Sequence, residues 1–284
     1  MTIDGKGFVL NDKTTLPYVG LGTIGIAGDK GTFDIMNALN MGYRLIDTST
    51  NYDNEGIVGE AVKRSRLDRE EILISTKLPG SHHEYDKAFL FIQESLRRTG
   101  LAYFDKYLIH WPNPDDGKYV EAWKALVDAQ KQGLIRTIGV SNFEPDHLDD
   151  IIEATGVTPA TNQVERHPYF TNNRMVEENE KRGILTEAWS PFGRGYLNDV
   201  LENATIREIA DKYDKTPAQI IINWNWQAGV MTIPKSSNTV HQKENLEATD
   251  FDLDREDIEK IDALDKGENG RVEGQDPDEY HEYV

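Results

Sequence analysis

Cysteine is absent from this sequence of 284 residues. Its absence excludes disulfide bonds, cysteine nucleophiles and thiolate ligands for metals, and we expect no metal site. Long apolar runs are absent too, since none approaches the roughly 18 residues of a membrane-spanning helix. The first ten residues, MTIDGKGFVL, lack the basic start and the apolar stretch of a secretory signal. We therefore expect a cytoplasmic protein that does not bind a membrane.

Positive charge is scarce in the chain. Lys and Arg number 31 against 50 Asp and Glu, which gives a net charge of −19. A surface with this charge repels nucleic acid and anionic lipid, so we expect neither as a partner. The acidic end of the chain, GQDPDEYHEYV, is compatible with a solvated tail and equally with a tail that folds over one face of the protein.

Short β-rich stretches alternate with amphipathic helical segments along the whole chain. Within the helical segments, apolar residues recur at three- and four-residue steps, as at Phe89, Ile92 and Leu96. The predicted strands lie at 18–24, 43–48, 71–78, 104–111, 135–141, 160–165, 184–190 and 230–235. The predicted helices lie at 31–41, 54–65, 84–99, 119–132, 144–155, 172–182 and 205–215.

This alternation predicts an α/β fold, a single (β/α)8 TIM barrel that spans residues 1–284. An extra helix at 214–229 precedes the last strand, with Thr216 as its N-cap and Pro217 as its first residue. The stretch 8–20 is predicted to form an N-terminal β-hairpin below the barrel. A doubly wound open sheet is the alternative, and it lacks the expected G-x-G-x-x-G turn after the first strand.

Reactive side chains stand where three successive strands end. Asp47 closes the second predicted strand, Lys77 the third and His110 the fourth, and Tyr52 lies in the loop after Asp47. Any one of them alone is more often structural, but the carboxyl ends of barrel strands converge on one site. Buried Asp and Lys are rarely unpaired, so we expect Asp47 to be the counter-ion of Lys77.

These four residue types suit proton delivery to a carbonyl oxygen. A free phenol has a pKa of about 10, and an adjacent Lys77 ammonium is expected to lower that pKa for Tyr52 and to ease proton transfer. His110 can offer an N–H to orient the carbonyl. None of these side chains can supply a hydride, so the set implies a redox cofactor.

The motifs that carry these residues resemble those of the aldo-keto reductase superfamily, in particular its bacterial 2,5-diketo-gluconate reductases and diketo reductases. The motifs occur in the family's order, as GYRLIDTSTNYDNEGIVGEAV, ISTKL, DKYLIHWP, IGVSNF, NQVERHPY, AWSPFGRG and TIPKS. The resemblance implies an NAD(P)H-dependent carbonyl reductase that acts on a small carbonyl substrate as a monomer. Tyr52 would be the proton donor, with Asp47, Lys77 and His110 as its supporting catalytic residues.

The resemblance also implies a site for the nicotinamide nucleotide. The positions around the nicotinamide are Thr23, Asp47, Ser141, Asn142, Gln163 and Trp189, where the family more often has Tyr than Trp. The positions against the pyrophosphate are Ser190, Phe192, Gly193 and Gly195. The positions around the adenosine and its 2′-phosphate are Lys235, Ser236, Ser237, Asn238, His241, Glu244 and Asn245.

Two of the adenosine positions depart from the family pattern. The family usually has Arg at the position of His241 and often at that of Asn238. A guanidinium is always charged and suits phosphate, whereas a neutral imidazole offers one donor. The loss weakens NADPH binding by about 1.5–3 kcal/mol. Because Lys235 is kept, we expect NADPH as the cofactor, and use of NADH as well stays open.

The substrate pocket is expected to contain Ile24, Tyr52, Pro79, His110 and Trp111. Relatives commonly carry aromatic residues at the positions of Ile24 and Pro79, so the resemblance implies a wider pocket here. The segment after Arg271 is short, which in this family accompanies an open site. The residues therefore allow small aldehydes, α-keto esters, diketones and aldoses as substrates.

Two other functions remain as alternatives. A non-redox lyase or isomerase would use Lys77 as a Schiff-base nucleophile, but a lysine kept charged by Asp47 is a poor nucleophile. A barrel that senses nicotinamide nucleotide without turnover would have no need of the complete set formed by Asp47, Tyr52, Lys77 and His110.

Overall fold

Three short antiparallel strands open the fold in this computed structural model, which describes residues 2–3 and 7–283. They are β1 (Thr2–Ile3), β2 (Phe8–Val9) and β3 (Thr15–Leu16). The predicted hairpin is therefore present. Phe8, Leu10 and Leu16 pack against Leu45 and Leu185 at the lower ends of barrel strands, so the hairpin covers the bottom of the barrel.

Eight parallel strands, each next to its neighbour in sequence, form the central sheet. They are β4 (Leu21–Gly22), β5 (Leu45–Asp47), β6 (Leu73–Leu78), β7 (Phe104–Ile109), β8 (Ile135–Ser141), β9 (Thr161–Glu165), β10 (Leu185–Trp189) and β11 (Met231–Ile233). Parallel bridges from Val19 to Thr232 and from Gly22 to Lys235 join the first strand to the last. The predicted TIM barrel is confirmed.

Helices connect the strands on the outside of the barrel. They are α1 (Gly28–Met41), α2 (Glu55–Arg64), α3 (Tyr85–Thr99), α4 (Tyr119–Lys131), α5 (Pro145–Thr155), α6 (Asn173–Lys181), α7 (Leu197–Leu201), α8 (Ala204–Tyr213), α9 (Pro217–Gln227), α10 (Thr239–Leu246) and α11 (Arg255–Asp262). All the predicted helices are present. The extra helix before the last strand is α9, and its N-cap is Thr216 as predicted.

The main apolar core lies between the sheet and the helices. Fully buried side chains from both layers meet there, including Trp123 and Leu126 of α4 and Ile74 of β6. The upper interior of the barrel is polar instead, because buried charged side chains of β5, β6, β7 and β10 meet inside it. This division places the reactive groups in the upper part of the barrel and leaves apolar packing to its outer face and its bottom.

The acidic C-terminal segment folds over the upper ends of the strands. Its composition allowed this state and a solvated tail equally. Backbone N–H of Val272 donates to Glu165 at 3.0 Å, and the ring of Tyr280 lies 4.3 Å from that of Trp111. The predicted domain ends at Met1 and Val284 lie outside the described residues. No helix within the described ranges is long and apolar enough to cross a membrane.

Candidate active site

Asp47 and Lys77 meet at the upper ends of two neighbouring strands. Asp47 is the last residue of β5, and Lys77 lies one position before the end of β6. Nζ of Lys77 donates to Oδ1 of Asp47 at 2.5 Å and to the backbone oxygen of Thr48 at 2.9 Å. Only 3% of Asp47 and 1% of Lys77 is exposed. The predicted counter-ion contact is therefore confirmed.

The charges of this pair hold each other in the ionised form. Burial raises the pKa of Asp47, but the positive charges of Lys77 and Lys106 outweigh burial and lower that pKa below its ordinary value. Burial lowers the pKa of Lys77, and the Asp47 carboxylate reverses this and raises it. An ammonium held in this way is a poor nucleophile, which argues against Schiff-base chemistry at Lys77.

Tyr52 is held beside this pair by a tight turn. It ends a single 3₁₀ turn, Thr50–Tyr52, in the loop after β5, and the next residue, Asp53, has a left-handed φ of 52°. Nζ of Lys77 lies 5.3 Å from the centroid of the Tyr52 ring. The structure thus brings Tyr52, Lys77 and Asp47 together as the strand-end positions predicted.

The acidity of Tyr52 differs from the sequence-based prediction. Burial raises the pKa of Tyr52 above its ordinary value of 10.0, and the Asp47 carboxylate adds to this rise. The charge of Lys77 and a hydrogen bond from it lower the pKa as predicted, but burial outweighs them and the net direction is upward. The phenol therefore keeps its proton at neutral pH, which is the state that a general acid requires.

His110 follows β7 and faces the same space. Its backbone N–H donates to the backbone oxygen of Leu78 at 3.0 Å, which anchors it to β6. The His110 ring lies 6.4 Å from the Tyr52 ring and 6.4 Å from that of Trp111. All three side chains border one cavity.

The residues predicted around the nicotinamide form one hydrogen-bonded cluster at the ends of β8, β9 and β10. Asn142, with a left-handed φ of 60°, donates through Nδ2 to Oγ of Ser141 at 3.0 Å. Its Oδ1 accepts from Nε1 of Trp189 at 2.8 Å. Oγ of Ser141 donates to the backbone oxygen of Gln163 at 2.8 Å. These bonds fix the cluster, with the partly exposed Trp189 ring bordering the cavity.

A second buried ion pair was missed by the sequence analysis. Nζ of Lys106 in β7 donates to both carboxylate oxygens of Glu187 in β10. Gln163 joins the two pairs, because its Nε2 donates to Asp47 and to Glu187 at 3.1 Å each. The available signal was a lysine within the strand FDKYLIHW and a glutamate within ILTEAWS, two charges in otherwise apolar stretches.

A cavity of about 540 Å³ opens at the upper ends of the strands. The predicted site residues that border it are Thr23, Ile24, Asp47, Tyr52, His110, Trp111, Ser141, Asn142, Gln163, Trp189, Ser190 and Lys235. Arg194, Gln275, Tyr280 and Glu282, which the sequence analysis did not assign, also border it. Three of these four come from the C-terminal segment. We expected this short segment to leave the site open, but it narrows the cavity.

Pro79 and Lys77 lie behind the cavity wall. Pro79 is buried and does not border the cavity, because the next residue, Gly80, is covered by the chain at Glu282. Lys77 is also buried and reaches the site through its contacts with Asp47 and Tyr52. The width of the pocket is therefore set by Ile24, which is 43% exposed, and by the C-terminal segment.

The residues predicted against the pyrophosphate form a tight loop after β10. Ser190, Gly193 and Gly195 have φ values of 48°, 74° and 86°. The backbone N–H of Gly193 donates to the oxygen of Ser190 at 2.8 Å, and a Cβ at Gly193 would lie 3.1 Å from the side chain of Val200. Phe192 is half-buried against the core. Only Ser190 of the predicted group borders the cavity.

The residues predicted around the adenosine lie at the start of α10. Lys235 is exposed and borders the cavity, whereas Ser236 is buried and its backbone oxygen accepts from Gln242 at 2.9 Å. Asn238 is the N-cap of α10 and accepts from the backbone N–H of Val240 at 2.8 Å. The N-terminus of a helix attracts anions, so Lys235 and α10 together suit a phosphate.

The other adenosine positions differ in accessibility. Ser237 and His241 are exposed, and Glu244 is half-buried. Asn245 is buried, and the hydroxyl of the nearby Tyr43 donates to the backbone oxygen of Gln242 at 3.1 Å. Ser237, His241 and Glu244 are therefore available to a ligand on the surface of α10, and an adenine contact from Asn245 stays a prediction.

Taken together, the residues fit a nicotinamide nucleotide. The fixed amide and hydroxyl groups beside Trp189 suit the carboxamide and ring at one end of the cavity. Lys235 and the N-terminus of α10 suit a phosphate at the other end. Backbone N–H groups of a loop with left-handed residues suit the pyrophosphate between them.

Comparisons with known proteins identify the family of this chain. Residues 19–266 match the model of the Aldo/keto reductase family. The chain is 41% identical over 273 residues to "2,5-diketo-D-gluconic acid reductase B" of Corynebacterium sp., covering 96% of this chain and 97% of that protein. It is 42% identical over 271 residues to "Methylglyoxal reductase DkgA" of Escherichia coli, covering 95% and 96%.

Solved structures show the same fold. A mutant of Gox0644 in complex with NADPH superposes with a TM-score of 0.90 at 40% identity, covering 96% of this chain and 98% of that one. The Bombyx mori aldo-keto reductase in complex with NADP gives 0.87 at 32% identity, covering 98% and 99%. The chain belongs to the aldo-keto reductase family and is an NADPH-dependent oxidoreductase that reduces carbonyl compounds.

Proposed function

We propose that this chain reduces small dicarbonyl compounds and aldehydes to alcohols, with Tyr52 as the proton donor. The observation that carries the assignment of Tyr52 is its position at the cavity, next to a buried Lys77–Asp47 pair. The relatives named for methylglyoxal and for 2,5-diketo-D-gluconic acid support dicarbonyl compounds as the first substrates to test.

The proposed mechanism assigns one task to each of the four residues. The bound nicotinamide supplies a hydride to the carbonyl carbon. The hydroxyl of Tyr52 gives its proton to the carbonyl oxygen, and the ammonium of Lys77 stabilises the phenolate that remains. Asp47 keeps Lys77 charged and in place, and His110 orients the carbonyl from the same cavity.

We assign the nucleotide to the residues that match the family's positions. Thr23, Asp47, Ser141, Asn142, Gln163 and Trp189 surround the nicotinamide in this proposal. Ser190, Phe192, Gly193 and Gly195 hold the pyrophosphate. Lys235, Ser236, Ser237, Asn238, His241, Glu244 and Asn245 hold the adenosine end. Because neither Asn238 nor His241 brings a guanidinium, we also propose that NADH serves as a second cofactor.

A panel of carbonyl compounds tests the substrate class. Methylglyoxal, diacetyl, a simple aldehyde and an aldose are each supplied with NADPH and then with NADH, and nucleotide oxidation is followed by absorbance. The proposal predicts that kcat/KM is highest for a dicarbonyl compound. A clear preference for the aldose would contradict it. Binding of NADPH without turnover of any compound would favour the sensor alternative.

We further propose that the chain is a cytoplasmic monomer that binds no nucleic acid. The net charge of −19 supports the last point, because phosphate backbones and this surface repel each other. The absence of cysteine is compatible with a reducing compartment.

A further inference from the structure

One carboxylate in the cavity has no part in the proposed mechanism. Glu282, close to the C-terminus, is only 3% exposed although it borders the substrate end of the cavity. Its Oε1 lies 2.6 Å from Nδ1 of His110 and accepts from Nδ2 of Asn51 at 2.5 Å. Its Oε2 accepts from the backbone N–H of Gly80 at 2.7 Å. Two donors and an imidazole nitrogen therefore converge on this group, as suits an ionised carboxylate.

The tail that carries Glu282 is held at defined points. The buried Asn113, in a left-handed conformation with φ of 46°, accepts from the backbone N–H of Glu282 at 3.0 Å. Nδ2 of Asn113 donates back to the backbone oxygen of Glu282 at 2.9 Å. The Tyr280 ring lies 4.3 Å from that of Trp111. These contacts give the Glu282 carboxylate a fixed position in the site.

Among the residues that the structure describes, the charges around Glu282 leave no free positive charge beside His110. The ammonium of Lys77 is already paired with Asp47. The His110 ring, the other group there that can become positive, faces Glu282 at ion-pair distance. Arg194 also borders the cavity, but it is exposed and lies on the loop after β10. A negatively charged substrate group that lies next to His110 is therefore repelled by the Glu282 carboxylate, with no free positive charge among the described residues beside it to offset the repulsion.

We propose that Glu282 is a specificity-determining residue of this site. Its carboxylate disfavours carbonyl substrates that carry a carboxylate next to the reacting carbonyl, and it admits uncharged ones. This inference rests on the proposed carbonyl reduction at Tyr52 and names the charge class of its substrates.

The test compares pyruvate with methyl pyruvate, which share the reacting ketone and differ in charge. With saturating NADPH, we expect the unaltered enzyme to favour the ester in kcat/KM. In Glu282→Gln, the amide keeps an acceptor for Gly80 and loses the charge. The ratio of ester to acid should then fall by about tenfold or more, mainly through a lower KM for pyruvate.

Glu279→Gln is the matched control. Glu279 is exposed on the same tail, so this variant removes the same charge outside the cavity and should leave the ratio unchanged. Gly80→Ala offers a second route to the same effect. A Cβ at Gly80 would lie 2.6 Å from the backbone oxygen of Glu282 and 2.3 Å from Asn113, so the tail must move away.

Each outcome bears on a different statement. A reduced ratio in Glu282→Gln and in Gly80→Ala, but not in Glu279→Gln, supports the inference. An unchanged ratio in Glu282→Gln, with methyl pyruvate still reduced, overturns it and leaves the proposed carbonyl reduction intact. If the unaltered enzyme reduces neither compound nor any member of the carbonyl panel, the proposed function fails and this inference fails with it.

Discussion

Two pairs of oppositely charged side chains lie deep inside this barrel. Buried charge is tolerated where it is paired and hydrogen-bonded, and here Asp47–Lys77 and Lys106–Glu187 satisfy that condition. Gln163 links the two pairs by donating to both carboxylates. The Lys77 ammonium next to Tyr52 is therefore stabilised by a network across the interior of the barrel and not by Asp47 alone.

The nucleotide preference is decided by single residues at the start of α10. We predict that His241→Arg raises the NADPH-to-NADH ratio of kcat/KM by about tenfold or more, because a guanidinium forms charge-assisted bonds to a 2′-phosphate. Steady-state kinetics with each nucleotide measures the ratio.

Val240→Arg is the control for this change. Val240 is 62% exposed on the same helix, so the variant adds the same charge one residue away. If the NADPH-to-NADH ratio rises equally in both variants, the effect comes from the added net charge and not from the position of His241. An unchanged ratio in His241→Arg would place His241 away from the phosphate.

Most of the predicted catalytic residues are visible in the sequence because each ends an apolar strand with a polar group. Asp47, Lys77 and His110 can be grouped in this way from strand patterning alone. The direction of the Tyr52 pKa cannot, because it depends on how burial balances the charge of Lys77. Glu282 cannot be assigned either, because only the folded tail brings it to His110.

At the scale of elements, periodicity located the eight strands and the helices that pack on them. Thr216 and Pro217 marked the start of α9 through capping chemistry. The helices α7, α10 and α11 were not predicted, since LNDVL spans only five residues and TVHQKENL and REDIEKID contain few apolar residues. Their positions depend on contacts with the rest of the barrel, which composition and spacing do not reveal.

The contact between β7 and β10 provides a stability prediction. Lys106→Met leaves the Glu187 carboxylate buried without its partner, and we expect a loss of about 3–5 kcal/mol in the free energy of unfolding. The double variant Lys106→Met with Glu187→Gln removes both charges and should recover most of that loss. Urea denaturation followed by circular dichroism measures both changes.

The exposed pair Lys87–Glu84 is the comparison for this prediction. Lys87→Met should have a much smaller effect, because solvated pairs contribute little. Equal losses in Lys87→Met and Lys106→Met would show that the buried pair has no special role in stability.

For the whole molecule, the barrel and its tail define one folding unit in this proposal. We predict a monomer of 32.2 kDa in solution and a single cooperative unfolding transition. Light scattering coupled to gel filtration measures the mass, and calorimetry measures cooperativity. A dimer mass would refute the monomer, and two resolved transitions would refute the single domain.

The sequence determines this architecture strongly because the same strand–helix unit recurs along the chain. Eight units are enough to close the sheet into a barrel. In a closed barrel, strands that are far apart in sequence end close together, and their last residues form the site. Substrate selection is less accessible from the sequence, because the loop after β10 and the C-terminal segment border the cavity from distant parts of the chain.

The proton transfer assigned to Tyr52 is the central claim of this account. The variant Tyr52→Phe removes the hydroxyl and keeps the ring, so a measurement on this variant tests the proton transfer most directly. That measurement compares single-turnover reduction of methylglyoxal with the Kd of NADPH from fluorescence titration in the same variant. We predict that reduction falls by at least about a hundredfold while the Kd for NADPH changes less than about threefold. Reduction at an undiminished rate would contradict the claim.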